Sequence, residues 1–200
     1  DGLVAIGKTV GLQKSTSDLM GFDRAEIEAN GWMAYPALSR LAQVAPLDMT
    51  QQLFLSRCKS LHEMWQQVPN GYLKSLLQSA GCSRTSIKDI GSIKLLQALF
   101  NIVDRLNAHD EASDAFASSI EPEGWEERNE AMAPLFLNND LRIADAHETI
   151  DDSLNTLQRL GFDTANVNEG YGRALDFVMD GVISAIGTVA TAIEKLMFQN

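Results

Sequence analysis

The stretch "GYGRALDFVMDGVISAIGTVATAIEKLMF", Gly170 to Phe198, constrains the fold of this chain more than any other. Leu175, Val178, Met179, Val182, Ile186, Val189, Ile193, Leu196 and Met197 recur at steps of three and four. That is the period of one helix face, and it persists far beyond the length of a strand. A helix with so apolar a stripe needs other helices to cover it. Gly181, Ala185, Gly187, Ala190 and Ala192 add small side chains that let a neighbour come close. Two coverings fit: other helices of the same chain in a bundle, or the same stripe on a second copy.

Shorter segments with the same period precede it. Pro36 can open a helix at its first position, with "ALSRLAQV" following and Pro46 closing it. Asp48 or Thr50 can cap "QQLFLSRCKSLHEMWQQV", whose expected stripe is Leu53, Phe54, Leu61, Met64, Trp65 and Val68. Pro69-Asn70-Gly71 reads as a turn, and "YLKSLLQSAG" as a short helix stopped by Gly81. In "SIKLLQALFNIVDRLNAHDE" the face is Ile93, Leu96, Leu99, Phe100, Val103 and Leu106. "ASDAFASSIEPEGWEE" reads as a surface connection, and Pro134 as a kink or break. "DDSLNTLQRLG" is a further short helix.

The predicted fold is therefore all-α, a bundle of six to eight helices over residues 36–200. Residues 1–35 read as a small irregular appendage. There "LVAIGKTVGL" is compatible with a strand, a hairpin or a poor helix, and a short helix after Asp23 ends at Asn30-Gly31. "GFDRAEIEANGW" and "GFDTANVNEGY" echo each other, which suggests a shared capping device rather than a repeat.

Composition narrows the function classes. A net charge of −11 repels a phosphate backbone, so no extended nucleic-acid surface is expected, although a small local RNA site remains compatible. No uninterrupted run of about 18 apolar residues exists, so neither a membrane span nor a membrane partner is expected. Cys58 and Cys82 lack ligand spacing; they read as packing residues and fit a reducing cytoplasm. The absence of an initiator methionine at Asp1 fits a piece of a longer protein. His62, His109 and His147 stand apart, so no metal and no cofactor is expected. Nucleophile, phosphate-loop and dinucleotide signatures are absent.

One stretch could carry chemistry. In "NNDLRIADAHE" Arg142 stands five residues ahead of His147. Arg57 and His62 have the same spacing. Arg142, four residues and His147 on a late helix, followed by a long terminal helix, resemble the HEPN family of helical bundles. The resemblance spans about Ser92 to Phe198. It implies a metal-independent ribonuclease made by two such helices across a dimer. Arg142 would stabilise the strained phosphate and His147 would move the proton. Alternatively, Asn138, Arg142 and Asp145 share one helix face, and Arg142 pairs with Asp145 to brace the helix.

Trp125, amid "EPEGWEERNE", is either a helix-start staple or a partner contact, so Asn138, Asp145 and Trp125 are the candidate binding residues. The reading that joins these features is a non-enzymatic helical interaction module, dimeric through its last helix or bound to a protein partner. HEPN-like ribonuclease activity and a small-molecule site inside the bundle are the alternatives.

Overall fold

The computed structural model describes residues 1–147 and 150–198, with the side chains of residues 144–153 outside that description. Ten α-helices occur among the described residues, and no strand. They are α1 (Gly2–Thr9), α2 (Thr16–Met20), α3 (Arg24–Asn30), α4 (Pro36–Leu41), α5 (Gln51–Trp65), α6 (Asn70–Ser79), α7 (Ser92–Ala108), α8 (Ala133–His147), α9 (Ile150–Arg159) and α10 (Gly172–Phe198). Seven of them, α4 to α10, fall within residues 36–200, in line with the expected bundle of six to eight.

Contacts group the chain into two units that interleave along the sequence. The first contains Asp1–Asp23, Gln67–Glu130 and the part of α10 from Ile186 onward. The second contains Arg24–Gln66 and Ala131–Ala185. This division does not fall at residue 35: residues 1–23 pack as part of the first unit instead of standing apart.

In the first unit α6 packs on α7. Leu73, Leu76 and Leu77 of α6 and Leu95, Leu99 and Val103 of α7 are buried. Each fully buried leucine contributes roughly 1.5–3 kcal/mol relative to exposure. The N-terminal segment is a helix here, not a hairpin, because its glycines permit close approach. A side chain at Gly7 would run into the Tyr72 hydroxyl. That hydroxyl donates to the Leu3 carbonyl at 2.8 Å and ties α1 to α6.

The long connection after α7 is also packed. Phe116 and Trp125 are buried, and the Asn101 amide donates to the carbonyls of Trp125 (3.1 Å) and Glu127 (2.8 Å). Another difference from expectation lies at Pro69-Asn70-Gly71, where Pro69 is the cap and the helix already begins at Asn70.

In the second unit α5 packs on α8 and on α4. Thr50 caps α5, accepting from the Leu53 amide, and Pro36 opens α4. Two carbonyls at and beyond the C-terminus of α4, those of Leu41 and Gln43, accept from the Arg57 guanidinium of α5 at 2.7 and 2.9 Å. A helix end left without partners would be costly, so this buried arginine acts as a cap. Pro134 lies in the first turn of α8 and kinks nothing there, since no amide is needed at that position. The echoed motifs share a stop: Gly21 and Gly161 both take positive φ, 77° and 99°. Asp163 then caps the next turn, accepting from the Ala165 amide.

The end of α7 carries an unusual residue. Asp110 is the one non-glycine residue with positive φ among those described, at 53°. The Glu111 amide donates back to the Leu106 carbonyl at 3.0 Å, the closure that normally places glycine at this position. A carboxylate here also faces the negative end of the helix dipole. Asp110→Gly is expected to stabilise the chain by about 0.5–1 kcal/mol. That is a rise in melting temperature of about 2 °C, readable by circular dichroism.

Candidate functional site

The side chains singled out in the sequence fall in both units. Trp125 is buried in the first unit. Its backbone carbonyl accepts from Asn101, and its ring is core, with no face open to a partner. Asn138 and Arg142 lie on α8 in the second unit. The side chains of Asp145 and His147 lie outside the described residues.

Asn138 is fully buried. Its amide nitrogen donates to the Cys58 carbonyl on α5 at 2.9 Å. Its amide oxygen accepts from the Trp65 indole nitrogen at 3.4 Å. Both partners belong to α5, so one amide side chain stitches α8 to α5 along almost two turns. Fully buried, with both ends engaged by its own protein, this amide is out of reach of an external ligand.

His62, one turn beyond Cys58, lies beside this stitch. Its ring meets the Trp65 ring edge-on, with centroids 4.5 Å apart. The residue is 1% exposed, and neither ring nitrogen has a hydrogen-bond partner among the described residues. Burial, with the neighbouring Arg142 guanidinium adding to it and the Gln66 side chain opposing it, lowers its pKa to about 4. His62 is therefore neutral at pH 7. Arg142 donates to the Asn139 side chain at 3.2 Å, while its Nε is buried without a partner among the described residues.

The structure thus places the Arg142 guanidinium near the histidine of the other Arg-x4-His stretch, where it disfavours the imidazolium. A general base must come within hydrogen-bond reach of the proton it takes, and His62 is sealed from solvent. What this arrangement can do is hold α5 against α8. Cys58 joins it as a packing residue, its thiol pKa raised by burial. Cys82 is likewise buried and free.

A different surface is left open on α10. Its covered row is Ala174, Leu175, Val178, Val182, Ala185, Val189, Ile193 and Leu196. Ile186, expected in that row, stands outside it at 38% exposed, and Ile183 is 62% exposed. Gly187 and Ala190 share this outer face and are also exposed. By length and composition α10 could cross a membrane: 27 residues, with an 18-residue window of mean hydropathy 1.5, of which 28% is buried.

The signal for this face was present in the sequence but masked. The apolar residues of α10 extend around more of the helix than one stripe, and a list of hydrophobic positions cannot say which side is covered. No protein-family model, no curated protein and no solved structure matches the chain.

Two measurements follow from the buried cluster. Asn138→Ala is expected to lower stability by about 2–4 kcal/mol in denaturant unfolding, since it strands the indole and opens a cavity. The second concerns acid. Unfolded His62 binds a proton below about pH 6.5, but the folded protein takes it up only near pH 4. Between these values the unfolded state holds more protons, so stability rises with pH across the window and is lost on acidification. The full loss is about 3 kcal/mol. His62→Phe is expected to remove this component from a stability profile taken between the two pH values.

Proposed function

We propose that the chain is a helical assembly module that pairs with a second copy of itself through the outer face of α10. The observation that supports this reading is Gly187. A glycine within a helix costs roughly 1 kcal/mol relative to alanine. Gly181 has a reason inside the chain, because a Cβ there would sit 3.1 Å from Pro134. At Gly187 an added Cβ would meet nothing within 4 Å. Among the described residues nothing requires glycine at this position. A close-packed neighbour would.

The identity of the neighbour follows from the charge pattern. Residues 181–193 carry no charge, and Asp180 and Glu194 bound them. Gly187 is the midpoint of that stretch. A two-fold axis through Gly187 superposes the uncharged stretch on itself and lets the two backbones approach there. Ile183 and Ala190 flank the crossing on either side, and helices that cross diverge away from it, leaving Asp180 and Glu194 in water. At 1.5 Å per residue the uncharged stretch is about 20 Å long. That suits a helix crossing and falls short of the roughly 30 Å of a bilayer's hydrocarbon core.

The test uses the open space at Gly187. Gly187→Leu adds bulk where the folded chain has room and raises helix propensity, so the fold is expected to be retained by circular dichroism. Light scattering at about 0.1 mM is expected to show a dimer for the unaltered chain and a monomer for the variant. A monomeric unaltered chain, or a dimer indifferent to the substitution, would sink the proposal.

A further inference from the structure

A concavity lies within the first unit, between the C-terminal half of α7 and the connection that follows it. Its volume is about 420 Å³, within the range of small-molecule sites. The apolar part of its lining includes Ile102 and Leu106 from α7, with Phe116 and Ile120 from the connection. Phe116 is buried, whereas Ile120 is 77% exposed. The connection is held in place independently of any ligand. The Ser118 amide donates to the Ser79 carbonyl at 2.9 Å, and Gly81 gives the Ile120 backbone room that a side chain would take away.

The polar lining is unevenly satisfied. Arg105 is occupied: it donates to the Glu123 carbonyl at 2.8 Å and lies 3.4 Å from the Glu123 carboxylate. His109, Glu111 and Glu121 also line the cleft. None of their side chains has a hydrogen-bond or ion-pair partner among the described residues. With Arg105 matched by Glu123, two unpaired carboxylates and one imidazole remain. The acidity reaches into the protein at Cys82. Burial pushes that thiol up to about 12, and Glu121 and Glu126 add to the effect.

We propose that this cleft binds a small organic cation, a primary ammonium carried on a short apolar body. An ammonium has three donors and no acceptor. Glu111, Glu121 and an imidazole nitrogen of His109 supply acceptors, and two of these three carry the opposite charge. The apolar body lies against Leu106 and removes the Ile120 side chain from water, above a floor to which the already buried Ile102 and Phe116 belong. A carboxylate or phosphate on the same body would meet like charge. A metal ion lacks a site here, since no group of three or more His, Cys, Asp or Glu able to hold one occurs among the described residues.

Calorimetric titration with phenethylamine, and with hydrocinnamate as its acidic counterpart at matched ionic strength, tests the proposal. The amine is expected to bind saturably with a Kd below about 1 mM. The acid is expected to bind at least about tenfold more weakly. Glu111→Gln combined with Glu121→Gln is expected to weaken amine binding by about tenfold or more. Both positions are exposed, and an unchanged thermal melt of the double variant verifies its fold. Absence of saturable amine binding, equal binding of the acid, or undiminished binding by the double variant would overturn the proposal. The α10 face takes no part in this readout, so either proposal can fail alone.

Discussion

The second unit depends on a single amide. Asn138 gives its nitrogen to the Cys58 carbonyl and its oxygen to the Trp65 indole. Those two bonds convert a greasy contact between α5 and α8 into one with a fixed register. Apolar packing alone tolerates sliding, because leucine against leucine is much the same one turn along. A buried amide does not, because a shift would strand an indole N–H and both ends of the amide at roughly 1–3 kcal/mol per group. The polarity of this core therefore serves specificity, and its neighbour His62 remains neutral because burial and the nearby Arg142 guanidinium disfavour the charged imidazolium.

The basic groups around this amide follow the same logic. Arg57 spends its guanidinium on two carbonyls at and beyond the end of α4, and Arg142 reaches the Asn139 side chain. Neither makes an ion pair with a described carboxylate. Such groups brace helices, Arg57 at the end of α4 and Arg142 along α8. Three glycines in helices separate the internal from the external demands on this chain. Gly7 admits Tyr72 and Gly181 admits Pro134, whereas Gly187 admits nothing belonging to the chain.

Much of the fold was legible in the sequence because helical period, caps and stops are local. Thr50, Pro36, Gly81 and Gly161 each act where their chemistry places them. The errors share a cause: residues whose role is set by a distant neighbour. The segment "LVAIGKTVGL" leaves strand, hairpin and helix open, because the roles of Gly7 and Gly2 are set by Tyr72 and Ile193 far along the chain. Pro134 looked like a break and falls in a first turn. Leu53 and Ile186 fit an apolar period and are exposed, since periodicity gives a stripe's spacing and not its edges. The electrostatic influence of Arg142 on His62 spans separate helices and leaves no mark in either segment. Asn138 was visible only as a polar residue on the right face of α8, and its two partners on α5 could not be read from that.

The claim that this polar cluster is a closed brace is tested most directly by hydrogen exchange at the tryptophan indoles, followed by nitrogen-resolved NMR. The Trp65 indole N–H is expected to exchange only when the α5–α8 contact opens, as slowly as the most protected amides of α5. Trp32, 45% exposed, supplies the fast reference within the same molecule. A Trp65 indole exchanging as fast as that of Trp32 would mean that the Asn138 stitch is open to water, and would contradict the account.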